Sequence, residues 1–132
     1  MPLLTRYLHI ATVTTLEQTG LKMNTLSSHV LDTTLGKPAQ GIPLTLTHPN
    51  GHTAKGITND DGRFNGWVEN SASGFAPGIY TLRFHCQQFL KDNHGKCFYP
   101  HIDITFELEE QGGHYHVPLL ISPFGFSSYR GS

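Results

Sequence analysis

At 132 residues with 37% apolar side chains, among them 8 Phe and 5 Tyr, the chain has material for one packed core and too little for two. Charged residues are only 14% and the net charge is -1, which excludes a disordered polyelectrolyte; the absence of any Lys/Arg cluster excludes a basic footprint for nucleic acid. No apolar run approaches the ~20 residues of a membrane span.

Taken in chain order, Met1–Lys22 carries Arg6 and some apolar residues, but Thr12, Thr14, Thr15 and Glu17 break any signal-like run. This stretch is expected to be a flexible extension, with the domain itself running over 23–132. Period-two alternation begins at Leu26–Asp32, where Leu26, Ser28 and Val30 face one way and Ser27, His29 and Leu31 the other. Ile42, Leu44 and Leu46 alternate with Pro43, Thr45 and Thr47. That strand ends at Asn50-Gly51, a hairpin signal because both residues tolerate positive φ. Its return is Thr53–Thr58. Asp60-Asp61-Gly62 predicts a second turn into a short strand over Arg63–Val68, and Glu69–Pro77 a polar connection.

Tyr80, Leu82 and Phe84 then alternate with Ile79, Thr81 and Arg83. Cys86–Asn93 lacks β-branched residues and is followed by Gly95 at a helix C-cap position, so it reads as one short helix. Ile102, Ile104, Phe106 and Leu108 against Asp103, Thr105 and Glu107 make the clearest strand. Gln111-Gly112-Gly113 turns the chain into His114–Ile121, and a last extended segment covers Phe126–Tyr129. About eight strands with frequent turns and one short helix indicate an all-β, antiparallel sandwich. The 2 cysteines, Cys86 and Cys97, are too few for a secreted-type framework and read as free thiols in a reducing compartment.

Chemistry concentrates in 9 His, against roughly 3 in an ordinary chain of this length. His29 lies mid-strand, Arg63 follows a turn, and His114-Tyr115-His116 puts two imidazoles on one strand face. Each also has a bland reading: a satisfied strand histidine, a solvated arginine, a frayed terminus at Tyr129–Ser132. The same histidines could instead be metal ligands, with His29 joining His114 and His116.

Read together, LSSHVLDTTLGKPAQGIPLTL at Leu26–Leu46, ITNDDGR at Ile57–Arg63, CFYPHIDITF at Cys97–Phe106 and HYHVPLLISPFGFSSYRGS at His114–Ser132 resemble the 5-hydroxyisourate hydrolases of the transthyretin-like family. The terminal Tyr129-Arg130-Gly131-Ser132 is the part that separates these hydrolases from transthyretin, the hormone carrier of the same fold. The resemblance implies a transthyretin-like β-sandwich that opens 5-hydroxyisourate, in urate degradation, to 2-oxo-4-hydroxy-4-carboxy-5-ureidoimidazoline. It implies His29, Arg63 and His116 as catalytic residues. Substrate would also be bound by Tyr129, Arg130, Gly131 and Ser132, with His114 as a neighbour. It further implies a homotetramer, a dimer of dimers with sites where the dimers meet, and no metal, cofactor, nucleic acid or membrane partner. A cytoplasmic location is expected, with peroxisome and periplasm left open. Two rivals stay in view: a carrier of the same fold without catalysis, and a metal-dependent hydrolase built on His29, His114 and His116.

Overall fold

The first alternating segment of the sequence forms β1 (Thr25–Asp32), in which every second residue from Leu26 to Asp32 is buried and Thr25, Ser27, His29 and Leu31 face outward. The structure, a computed structural model, describes residues 23–131; Met1–Lys22 and Ser132 lie outside the described residues. After β1 come β2 (Lys37–Pro38), β3 (Pro43–Thr47), β4 (Thr53–Ile57), β5 (Arg63–Phe64), a 3-10 turn (Val68–Ser71), β6 (Gly78–Phe84), helix α1 (Gln87–His94), β7 (Ile102–Leu108), β8 (His114–Ser122) and β9 (Gly125–Ser128).

One sheet has the order β2-β1-β8-β9 with β5 also on β1, and the other has the order β4-β3-β6-β7. Their inner faces meet in an apolar core that includes Leu26 and Val30 of β1, Leu44 and Leu46 of β3, and Tyr80, Leu82 and Phe84 of β6. Leu119 and Ile121 of β8 complete it. A sandwich of this kind is the expected way to bury one face of each strand set. Helix α1 plugs the structure through Leu90, its one fully buried residue, and ends where Gly95 takes φ 80.

Three departures from the sequence expectations have physical reasons. The strand expected over Arg63–Val68 stops at Phe64, because the chain turns inward to bury Trp67 and Val68 begins the 3-10 turn. The Phe64 ring packs edge-on against Trp67 at 4.7 Å and lies on Gly56, where a Cβ would come within 2.6 Å of it. The Asn50-Gly51 hairpin closes through a wider loop than a two-residue turn. The His48 N–H donates to the His52 carbonyl, and within that loop only Gly51 has positive φ. Finally, the sandwich is not wholly antiparallel: β1 and β8 run parallel over their full length, Thr25 opposite His114 through Asp32 opposite Ile121. Periodicity reports which face a residue takes, not which strand lies beside it.

Candidate active site

The parallel pairing of β1 with β8 builds the site. It sets Thr25 beside His114, Ser27 beside His116 and His29 beside Pro118. Since side chains alternate, Thr25, Ser27 and His29 share the outer face with His114 and His116. On the other edge of β1 the short strand β5 sets Arg63 directly opposite His29. Residues far apart in sequence thus converge on one polar face.

The loop before β5 fixes how Arg63 arrives. Asn59 Oδ1 accepts hydrogen bonds from the main-chain N–H of Asp61 and of Arg63, both at 2.9 Å. Gly62 takes φ +74 and its carbonyl accepts from Val30 N–H at 2.8 Å, stapling the turn to β1. Arg63 Nε then donates to Asp61 Oδ2 at 2.9 Å, with both side chains more than half exposed. An exposed pair of this kind adds little stability; it aims the guanidinium. The Asp61 carbonyl accepts from His29 Nε2 at 2.9 Å. A carbonyl only accepts, so in neutral His29 the proton sits on Nε2 and Nδ1 is the basic nitrogen.

His116 is held differently. Its Nδ1 lies 2.8 Å from Ser27 Oγ, which also lies 2.9 Å from His114 Nε2, and His114 Nδ1 lies 2.7 Å from Thr25 Oγ1. Burial first, then the charge of Arg63 and the neighbouring His114 and His29, hold the His116 imidazole below its ordinary pKa, against an upward pull from a hydrogen bond with the Ser27 main chain. It is therefore a neutral base near pH 7. An open cavity of about 640 Å³ lies in front of these groups, walled by Ser27, Arg63, Phe64, His114 and His116 among others. His29 flanks Arg63 without contributing to that wall.

The C-terminal residues divide. Gly131 N–H donates to the His116 carbonyl at 2.8 Å, and a Cβ on Gly131 would come within 2.6 Å of His116 Cδ2. Only glycine permits that approach. Arg130 turns away: its guanidinium lies 4.0 Å from the centroid of the Tyr115 ring. It also donates to the Gly112 and His114 carbonyls. With Tyr129 it lines a separate opening of about 360 Å³ between the edges of the two sheets. Within one chain Tyr129 and Arg130 thus do not join the histidine cluster, and Ser132 lies outside the described residues.

Sequence reasoning did not single out Ser27, Thr25, Asn59 or Asp61. The alternation places Ser27 on the face of His29, but its contact with His116 depends on a strand pairing that no local pattern announces. Chemically, the face offers three imidazoles, one fixed cation and a water-accessible hollow. Cys86 is buried in the core, where desolvation pushes its thiol up to about 11, so it is no nucleophile. Among the described residues, no three His, Cys, Asp or Glu side chains are grouped so as to hold a metal ion, and no helix is long and apolar enough to cross a membrane.

Comparison with known proteins adds to this geometry. A family model described as "Transthyretin: HIUase/Transthyretin family" matches residues 26–131. The chain is 40% identical over 119 residues to 5-hydroxyisourate hydrolase 2 of Rhizobium meliloti, covering 84% of this chain and 98% of the relative. The structure of Klebsiella pneumoniae 5-hydroxyisourate hydrolase superposes with a TM-score of 0.69 at 31% identity, covering 85% of this chain and 96% of that one. Transthyretin from Sparus aurata superposes with a TM-score of 0.71 over 81% of this chain and 96% of its own, at 23% identity, a likeness of fold alone.

Proposed function

The chain belongs to the HIUase/transthyretin family, and from that premise we infer that it is the hydrolase that opens 5-hydroxyisourate in urate degradation. The observation that carries this reading is the polar outer face. A small-molecule carrier would use an apolar channel, whereas here Arg63 and His116 stand at a hollow with His29 paired opposite Arg63. The hydrolases among the relatives, similar over nearly their whole length, point the same way.

Hydrolysis of a cyclic amide needs a base for the water proton, positive charge for the developing oxyanion, and a proton for the departing nitrogen. His116, neutral near pH 7, is matched to the first task. Its Nδ1 faces Ser27, which leaves Nε2 for the substrate water. Arg63 is always cationic and offers forked donors to carbonyl and urea-like edges, so it orients the ring and stabilises the oxyanion. His29, with its basic Nδ1 and its place opposite Arg63, shares the proton traffic with His116. As the new C–O bond forms and the C–N bond breaks, the water proton ends on the ring nitrogen. Base, charge and orientation all come from side chains, so no cofactor enters the reaction.

Tyr129, Arg130, Gly131 and Ser132 complete the substrate-binding set, with His114 behind His116. Gly131 supports this role through its main-chain hydrogen bond to His116 in the same chain. Tyr129 and Arg130 meet it in a homotetramer, a dimer of dimers in which outer faces pair and enclose the hollow. The working unit is residues 23–132, and free Cys86 and Cys97 fit a reducing, cytoplasmic location. The direct test generates 5-hydroxyisourate in situ with urate oxidase and follows its ultraviolet decay. Decay accelerated by this protein is the expected result; an unchanged rate overturns the assignment.

A further inference from the structure

Ser27 contributes nothing to the core, since it lies on the outer face of β1. Yet its hydroxyl is the central link in an unbroken chain. It lies 2.8 Å from His116 Nδ1 and 2.9 Å from His114 Nε2, and His114 Nδ1 lies 2.7 Å from Thr25 Oγ1. All three are distances of formed hydrogen bonds. The whole chain borders the open hollow, with His116 half-buried at one end and His114 exposed at the other.

Counting protons limits what such a chain can do. A hydroxyl has one proton to give, and a neutral imidazole has one N–H and one lone pair. Two arrangements satisfy every link. In the first, His116 Nδ1–H donates to Ser27, Ser27 donates to His114 Nε2, and His114 Nδ1–H donates to Thr25. His116 Nε2 then carries a lone pair and is a base. In the second, every bond is reversed: Thr25 donates to His114, His114 to Ser27, Ser27 to His116, and His116 Nε2 carries a proton. One proton shift per link converts one arrangement into the other.

We propose that Ser27, together with His114 and Thr25, is a proton relay that couples His116 to solvent and decides which nitrogen of His116 is basic. The proposal rests on the reading of His116 as the base in ring opening. When His116 Nε2 takes a proton from water, Nδ1 passes its own to Ser27. Ser27 passes its proton to His114 Nε2, His114 passes its Nδ1 proton to Thr25, and Thr25 releases one to solvent. When the departing nitrogen is protonated from His116 Nε2, the same chain runs backward and takes one proton in. Protons balance over the cycle, and His116 never holds a net positive charge. That matters because an imidazolium there would be partly buried, with the Arg63 cation, His114 and His29 around it. Ser27 is a positioning residue in this scheme: it stands in the wall of the hollow but acts through His116.

The test uses the full chain as Ser27→Ala and Ser27→Thr beside the unaltered protein, with two readouts. The first is the ¹⁵N spectrum of the imidazole nitrogens without substrate. The relay requires that Ser27→Ala change the tautomer balance of both His116 and His114, because one hydroxyl joins them. The second is steady-state ring opening of 5-hydroxyisourate. The expected result is a fall in kcat of about tenfold or more in Ser27→Ala with KM within about twofold, partial recovery on adding imidazole as a diffusible relay, and recovery in Ser27→Thr. Unchanged kcat in Ser27→Ala overturns the relay, as does a loss that neither imidazole nor Ser27→Thr restores. Unchanged ¹⁵N spectra overturn it independently of any activity. If the unaltered protein fails to open 5-hydroxyisourate while the spectra respond to Ser27, the hydrolase reading falls and the hydrogen-bonded chain stands.

Discussion

At the scale of single residues, His29, Arg63 and His116 carry different burdens, and substitution should separate them. Each of His29→Ala, Arg63→Ala and His116→Ala is expected to lower turnover about 100-fold or more, the ordinary cost of losing a placed acid–base or charge-stabilising group. All three lie on an outer face rather than in the core, so assembly and melting temperature should barely move. Near-normal turnover in any one of them removes that residue from the mechanism. The pH profile gives a second test. His116 is held below its ordinary pKa, and only its neutral form is a base. Activity is therefore full at neutral pH and falls as pH drops through a value below that of an unperturbed histidine. Arg63 contributes to the lowering, so in Arg63→Ala the NMR titration of His116 should move upward. A downward or null shift would mean that the guanidinium does not face the imidazole. Each of these side chains stood out in the sequence with an ordinary reading beside it, a satisfied strand histidine or a solvated arginine, and only the resemblance implied a catalytic role. Ser27 did not stand out, because a serine on a strand face is ordinary until its neighbours are known.

Secondary-structure elements explain where legibility stopped. Alternation made β1, β3, β6 and β7 readable, and Gly95 made the end of α1 readable, since in each case the signal is carried by residues next to one another. The length of β5 was not readable, because the burial of Trp67 is a tertiary event that local pattern does not encode. Nor was the parallel alignment of β1 with β8, on which the meeting of Ser27 with His116 depends. The turn before β5 is the element whose conformation the site depends on most directly. Gly62 at φ +74 leaves no room for a side chain: a Cβ would meet the Val30 carbonyl oxygen at 2.5 Å and Pro38 Cβ at 3.0 Å. Gly62→Ala is therefore expected to destabilise the protein by about 1–3 kcal/mol and to lower kcat further than stability alone explains, because Arg63 is the next residue. Unfolding by denaturant measures the first effect and the in situ assay the second; full stability in Gly62→Ala would show that the turn relaxes at no cost.

For the whole molecule, the question is how a small sandwich encloses a reaction it can only half surround. The hollow of about 640 Å³ is open to solvent on the single chain, while Tyr129, at 62% exposure, stands unpacked on another side. The outer face that bears the histidines continues along β1 and β8 into Leu31 and Leu120, which are paired in register. Apolar side chains beside a polar hollow suit a face that meets a second copy of itself across a two-fold axis. Pairing of that kind would exclude water from Arg63 and His116 and strengthen their action on charge. The terminal segment supplies the decisive comparison. If Tyr129–Ser132 only frays, its removal costs nothing. If the tail is enclosed with the site, deletion removes the Gly131 bridge to His116, the Arg130 contact with Tyr115 and the exposed Tyr129 ring together. A chain end enclosed between subunits also has no space to continue. Deletion of Tyr129–Ser132 is accordingly expected to abolish turnover, and a tag after Ser132 to reduce it well below the level of the same tag before Met1. Light scattering on each variant should give the mass of four chains for the unaltered protein. A fully active deletion variant would sink the enclosure, while a tetramer that loses activity only when its C-terminus is altered would place the tail at the reaction itself.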